Sequence, residues 1–441
     1  MFKRLIKKIL PAVVIRWYHL LLATLANSYY GRPSHWLVVI GVTGTNGKST
    51  TVEMISQLLR AGGNKVGHIA TTTIRVGDEE WLNKSKMTML GRFSLQRMLK
   101  KMVQAKCQYA VIEVTSQGLE QYRGRGIEFD TAVITNLAPE HIEAHGSFAN
   151  YAQAKEILFS MVSKRAPKKV DGKSIQTNTV INLDDKEVAR YAKYPATKRF
   201  GITTKGQPAI VEGQSVMAAN EITQTASGSQ FKIESIPFDL PLLGEYNVAN
   251  ALSAICVGLS QGYKLNQLAD WLSQIEPSPG RLEWIAEGQP FRVLIDQAPE
   301  PISLSKVFET IKTIKKERVI HVFGSAGGGR DKARRPVLGR LSVDNTDISI
   351  ITNEDPYDED PIEIMRQIAE GVRAAGAVDN QNMFVIPDRR EAIKKALSLA
   401  RPNDLVLITG KGSEQAIVVK NNKKIPWDDR AVVRELIKEF R

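Results

Sequence analysis

Residues 44–50, Gly-Thr-Asn-Gly-Lys-Ser-Thr, set a lysine and two hydroxyls directly after a glycine-rich turn. At a helix start such a turn aims backbone N–H groups at a polyphosphate, while Lys48 reaches the terminal phosphates and the Ser49 hydroxyl ligates magnesium. The strict P-loop spacing asks for glycine where Val42 stands, so this is a variant carried by Gly44, Thr45, Asn46, Gly47, Lys48, Ser49 and Thr50. A Gly-Lys-Ser triplet also occurs in ordinary turns. Context separates the two readings: residues 37–40 read as a buried strand before the turn, and residues 51–60 carry apolar side chains at helical spacing after it.

Two more strand-like runs end in polar groups. Residues 108–116 end in Glu113, Thr115 and Ser116, and residues 131–141 end in Asn136, Glu140 and His141. Ligands bind past the carboxyl ends of strands in open parallel sheets, and a magnesium-nucleotide needs oxygen ligands there. A single carboxylate at a strand end is commonly only a loop residue, but two such ends downstream of a P-loop favour a site. His141 and His145 stand four apart, a spacing that suits zinc on a helix, yet no third ligand group accompanies them.

The elements that position these residues alternate. From residue 66 onward apolar runs trade places with helical stretches, and residues 178–240 read as short strands. Residues 163–173, SKRAPKKVDGK, read as an exposed basic loop, and Pro277–Arg281 as a linker. Beyond it RVLID, RVIHVF, DISIIT, NMFVIP and DLVLIT keep the βα rhythm of a mainly parallel sheet. The glycines at 324 and 327–329 look like a dinucleotide fingerprint but lack the G-x-G-x-x-G spacing, which argues against NAD binding. The expected class is α/β: residues 37–278 a P-loop central ATPase domain, 279–441 a Rossmann-like domain, and 1–36 a short helical segment.

Composition fits a globular chain of 441 residues, 43% hydrophobic. Two cysteines, Cys107 and Cys256, make neither a disulfide framework nor a four-thiolate zinc site, which suits a reducing cytoplasm. The net charge of +13 suits polyanionic ligands, but no nucleic-acid module accompanies it and no nucleic-acid partner is expected. Residues 1–36 carry Lys3, Arg4, Lys7, Lys8, Arg16 and Arg32 and no acid. Arg16 and His19 interrupt the apolar run, which is too short to span a bilayer. Two readings stand: a helix packed on the following domain, or an interfacial helix making peripheral membrane contact.

The run GVTGTNGKST, with residues 113–160, LLGEYNVANALSA, PGRLEW, VFGSAGGGRDKARRP, NEDPYDEDP and ITGKGSEQA in that order, resembles the Mur ligases. The similarity is nearest to their UDP-N-acetylmuramoyl-tripeptide synthetase branch. The resemblance implies an ATP-dependent amide ligase of cytoplasmic peptidoglycan synthesis, acting as a monomer on ATP, an amino acid and a muramoyl-peptide. A substrate carboxylate attacks the γ-phosphate and an amine then displaces phosphate from the acyl phosphate. It implies two magnesium ions, the first on Ser49 and Glu113, the second on His141 and a carbamylated Lys155. Lys48, His141 and Lys155 become the catalytic set, and Asn136, Asn247, Arg281 and Asp296 join the P-loop around ATP. Thr88, Ser116, Arg123, Asp355, Pro356, Tyr357, Gly410 and Glu414 are the implied substrate contacts.

Departures accompany these matches. Gln117 stands where the branch has histidine, DQAPEP (296–301) replaces a DYAHTPD-like run, and a threonine pair is reduced to Thr88 and Met89. Only 36 residues precede the P-loop strand, so the family's uridine-nucleotide domain is expected to have no counterpart. A ligase acting on a lipid-linked or other carboxylate, and a non-catalytic ATP-binding relative, stand beside the leading reading.

Overall fold

The computed structural model describes residues 12–85, 87–138, 145–206, 213–225 and 227–439. They form two compact units, Met1–Thr223 with Ser229–Pro241 and Glu245–Ile275, and Glu276–Arg441 with Gln224–Gly228 and Leu242–Gly244.

The first unit begins with α1 (Ala12–Tyr29), β1 (Val38–Thr43) and α2 (Lys48–Ala61). There follow β2 (Val66–Ile69), β3 (Thr73–Val76), β4 (Glu79–Leu82), α3 (Arg92–Gln104), β5 (Tyr109–Glu113), α4 (Ser116–Glu120) and β6 (Thr131–Ile134). Then come α5 (Phe148–Ser163), β7 (Lys168–Val170), β8 (Lys173–Ile175), β9 (Asn178–Asn182), α6 (Val188–Ala192), β10 (Lys198–Thr203) and β11 (Ser215–Ala218). Strands β12 (Asn220–Gln224), β13 (Ser229–Ile233) and β14 (Ile236–Leu240) make a small sheet before α7 (Glu245–Ser260) and α8 (Leu265–Leu272).

The main sheet has nine strands in the order β11-β10-β9-β6-β1-β5-β2-β3-β4. It is parallel from β11 to β2 and antiparallel beyond. Every residue of β1 is buried, because helices cover both faces of a parallel sheet and leave no strand position for water. A side chain at Gly41 would meet Leu158 at 2.8 Å and Phe129 at 2.9 Å, so the bare strand lets α5 approach. Leu158, Phe159 and Val162 of α5 join Leu95, Leu99 and Met102 of α3 in one core. Truncating such a leucine to alanine costs about 2–5 kcal/mol.

The stretch expected to be an exposed basic loop is largely exposed, but it forms the antiparallel pair β7–β8 and turns two of its cations inward. Lys168 opens β7, is buried, and donates from Nζ to Asp130 Oδ2 at 2.7 Å, while Arg165 Nε lies 3.0 Å from Asp130 Oδ1. Asp130 also accepts the Val39 N–H at 2.7 Å, which ties it to the central strand and draws the two cations inward. A buried carboxylate left without its cation costs about 3–5 kcal/mol, so these charges belong to the fold.

The second unit contains β15 (Glu283–Ile285), β16 (Arg292–Ile295), α9 (Pro301–Lys312), β17 (Val319–Phe323), α10 (Arg334–Asn345), β18 (Ile348–Ile351) and α11 (Pro361–Ala374). It continues through β19 (Met383–Val385), α12 (Arg389–Leu399), β20 (Leu405–Ile408), β21 (Ala416–Val419), β22 (Lys423–Pro426) and α13 (Asp429–Glu439). Six strands run β15-β16-β20-β17-β18-β19, parallel except for β15. All five apolar runs read from the sequence are strands here, and the α/β class holds in both units.

Candidate active site

Strands β5, β1 and β6 are parallel neighbours, so the loops after them share one edge of the sheet. The P-loop leaves β1 there. Gly44 has φ +146°, and a Cβ on it would stand 1.9 Å from Thr135 Oγ1. Gly47, at φ +80°, is the left-handed residue from which α2 starts, and its Cβ would stand 2.4 Å from Asn250 Oδ1. No other residue type fits either place.

The loop after β6 braces this turn. Thr45 N donates to the Asn136 carbonyl at 2.9 Å and Asn46 N to Asn136 Oδ1 at 3.0 Å, while Asn136 Nδ2 and Thr135 Oγ1 donate to the Asn46 carbonyl at 3.0 and 2.6 Å. Asn136 therefore holds the P-loop itself. Lys48 Nζ donates to the Thr45 carbonyl at 2.7 Å, so its ammonium is folded over the loop. Thr50 follows in the first turn of α2.

Ser49 Oγ donates to Glu113 Oε2 at 2.8 Å. The same carboxylate oxygen accepts Thr71 N at 2.7 Å and Thr71 Oγ1 at 2.9 Å, and Thr88 Oγ1 lies 3.0 Å from the Thr71 hydroxyl. A hydroxyl and a carboxylate fixed together form the oxygen-only donor set that a hard divalent cation prefers. Thr71 went unnoticed in the sequence, although it stands just past the end of β2, beside the end of β5 that Glu113 forms.

Lys155 lies on α5, 2% exposed, and donates from Nζ to the Gly44 carbonyl at 2.7 Å. Its ammonium is 4.3 Å from the centre of the Tyr151 ring, whose hydroxyl is 3.1 Å from Thr45 Oγ1. The structure thus brings Lys48, Ser49, Glu113, Asn136 and Lys155 to one loop. Glu140 and His141 lie outside the described residues. Ser116 Oγ is 3.0 Å from His145 Nε2, and Glu120 Oε1 is 3.1 Å from His145 Nδ1. Arg123 donates to the Met89 carbonyl at 2.5 Å and to Gln121 Oε1 at 2.8 Å, and burial pulls its pKa down. Asn247 Oδ1 accepts Asn250 Nδ2 at 2.9 Å, which orients the residue packed on Gly47. Asn250 was also missed, although it stands one helical turn beyond Asn247.

The second unit carries its own cluster. Lys411 Nζ donates to Asp355 Oδ1 at 2.8 Å and Glu414 Oε2 at 2.7 Å. Gln297 Nε2 donates to Glu414 Oε1 at 2.8 Å and Gly410 N to the Gln297 carbonyl at 2.7 Å. Burial pulls the Lys411 ammonium down, but Glu414, Asp355 and Glu354 outweigh it and raise its pKa. Pro356 is buried, and Tyr357, at φ +54°, lays its ring over Gly328, whose Cβ would meet it at 2.7 Å. Asp296 accepts Leu282 N at 2.8 Å; burial raises its pKa against the opposing charge of Arg281.

The chain matches the family described as Mur ligase middle domain over residues 42–258 and that described as Mur ligase, glutamate ligase domain, over residues 280–412. It belongs to the Mur ligase family. The UDP-N-acetylmuramoyl-L-alanyl-D-glutamate--2,6-diaminopimelate ligase of Geobacillus kaustophilus (strain HTA426) is 37% identical over 433 residues, 97% of this chain and 84% of that one. The UDP-N-acetylmuramyl-tripeptide synthetase of Roseiflexus sp. (strain RS-1) is 35% identical over 437 residues, 98% of this chain and 84% of that one. A solved diaminopimelate ligase structure aligns with a TM-score of 0.60 at 28% identity, covering 92% of this chain and 79% of that one.

Proposed function

We propose that this Mur ligase adds an amino acid to a UDP-N-acetylmuramoyl-dipeptide in the cytoplasm, using ATP and passing through an acyl phosphate. The observation that carries the reading is the loop assembly in which Lys48, the Ser49–Glu113 pair and buried Lys155 meet around one glycine-rich turn. The names of the relatives at 37% and 35% identity support the substrate class. Two anions, a carboxylate and a triphosphate, must approach each other, and the site's task is to neutralise them while holding them in line.

Lys48 and the loop amides bind the phosphates, with Asn136 keeping the loop in shape. Ser49 and Glu113 would hold one magnesium ion, and His141 with Lys155, carbamylated to present oxygens, would hold a second. Bound magnesium supplies charge neutralisation at the transferring phosphoryl group. Thr88, Ser116 and Arg123 orient the muramoyl-peptide, Asn247, Arg281 and Asp296 contact ATP, and Asp355, Pro356, Tyr357, Gly410 and Glu414 receive the amino acid. The enzyme works as a monomer.

Phosphate release from ATP and magnesium should require both the UDP-muramoyl-dipeptide and an amino acid. Release without either acceptor, or none with both, would overturn this assignment.

A further inference from the structure

Helix α1 carries apolar side chains on both faces. Inward, Ala23 and Ala26 are buried and Ile15, His19 and Leu22 are half-buried, and at the margin Arg16 Nη2 donates to the Tyr122 hydroxyl at 3.2 Å. Its outward face is large and apolar. Val14, Trp17, Tyr18, Leu21, Leu25 and Tyr29 stand at i, i+3, i+4, i+7, i+11 and i+15, the spacing of one helix face, and all are exposed, from 45% at Val14 to 78% at Tyr29. Single exposed apolar residues are ordinary, but six aligned along one helix form a continuous patch. At 1.5 Å per residue that stripe is about 22 Å long.

The sequence before α1 supplies the complementary chemistry. Residues 2–10, FKRLIKKIL, place Phe2, Leu5, Ile6 and Ile9 at helical spacing, with Lys3, Arg4, Lys7 and Lys8 between them. No acidic residue occurs before Glu53, and Glu53 is itself buried. We propose that α1 and the basic residues before it dock on an anionic lipid surface, the Trp, Tyr and Leu stripe entering the headgroup boundary and the cations meeting lipid phosphates. Tryptophan and tyrosine suit that depth, since their rings are apolar with one polar edge. Docking, and not spanning, is the geometry available: among the described residues no helix is long and apolar enough to cross a membrane.

A second copy of the chain fits the stripe less well. Pairing two stripes would add a second cationic segment and bring no carboxylate from the first 52 residues to neutralise either. Anionic lipid provides both the apolar boundary and the counter-charge. This inference is independent of which acceptor the ligase uses.

Vesicle flotation of the full chain tests it, with phosphatidylglycerol mixed into phosphatidylcholine compared with phosphatidylcholine alone. Binding should need the anionic lipid and weaken with salt as the Debye length shortens. The double variant L21E/L25E, on the exposed face, should keep the melting temperature and ligase activity while losing at least ~10-fold in partitioning. The variant K3Q/R4Q/K7Q/K8Q should lose a similar factor. The proposal is overturned if the full chain stays unbound to the anionic vesicles, or if L21E/L25E binds them like the parent. It is equally overturned if size-exclusion chromatography shows a dimer that L21E/L25E dissolves while vesicles capture neither form.

Discussion

Lys48 and Glu113 make the sharpest demands at the residue scale. On the proposed reading each would compensate charge where it builds up during phosphoryl transfer, one directly and one through the cation it would hold with Ser49. Lys48→Ala and Glu113→Ala should each cut acceptor-dependent phosphate release by about a thousandfold or more. Turnover within a few fold of the parent in either variant would remove these residues from the site. Lys155 raises a separate question, because its buried amine donates to the Gly44 carbonyl and a carbamate there would present oxygens instead. Lys155→Ala should lose most activity, and a short carboxylic acid added to the assay should restore part of it; absence of any rescue would leave Lys155 a structural brace of the P-loop. On the proposed reading the amino-acid choice would rest on Tyr357, which offers a hydroxyl but no fixed cation for the distal carboxylate of diaminopimelate. Arg334 and Arg335, two further cations of the same unit, are buried. Arg334 is bonded to Glu300 and Ser325, Arg335 to Glu359 and Gln367. Lysine should therefore outcompete diaminopimelate in a direct assay. The reverse preference would overturn this and turn attention to Arg330, an exposed cation whose charge acts on Tyr357.

At the scale of elements, the loop after β18 stores a titration. Glu354 is 4% exposed and its Oε2 has no hydrogen-bond partner among the described residues, beside Gly410, where a Cβ would stand 2.7 Å from that oxygen. Burial pushes this carboxyl up to about 7, with Lys411 opposing the shift and Asp355 adding to it. In the unfolded chain a glutamate titrates near ~4.3. Between those values the folded state keeps a proton that the unfolded state has released, so stability is full at low pH and falls as pH rises through the window. Glu354→Gln removes the dependence. Between pH 5 and 8 the parent should lose stability relative to the variant by roughly 3 kcal/mol, read from paired denaturation midpoints. Midpoints that stay parallel across that range would show that Glu354 does not titrate there.

Sheets and P-loop were legible in the sequence because their signals are local: a parallel strand is one unbroken apolar run, and the glycine turn sits directly at its end. Contacts between distant residues were not. Thr71 reaches Glu113 across 42 positions and Lys168 reaches Asp130 across 38, so neither threonine nor lysine carries a neighbourhood that reveals its partner. Burial altered the reading of residues 163–173 in part, since a largely exposed basic run gives two of its cations to a buried carboxylate.

At the scale of the whole molecule, α1 shows the same limit. Periodicity foretold a helix with one apolar face, yet whether that face turns inward depends on the surface waiting for it. The structure places alanines inward on α3 and leaves the large side chains outward, so anchoring and packing are separable along the chain. Deleting residues 1–11 removes the cationic cluster and leaves α1 in place. Deleting residues 1–30 removes Ala23, Ala26 and the Arg16–Tyr122 bond and uncovers α3, at a cost of about 1–3 kcal/mol. For a unit of this size that corresponds to a drop of roughly 2–10 °C. The comparison is informative because both truncations lose the cluster from Lys3 to Lys8, and only the longer one loses the packed face. Equal melting temperatures for the two truncations would mean that α1 adds nothing to the stability of the first unit, and its inward alanines would then be a resting contact without structural weight.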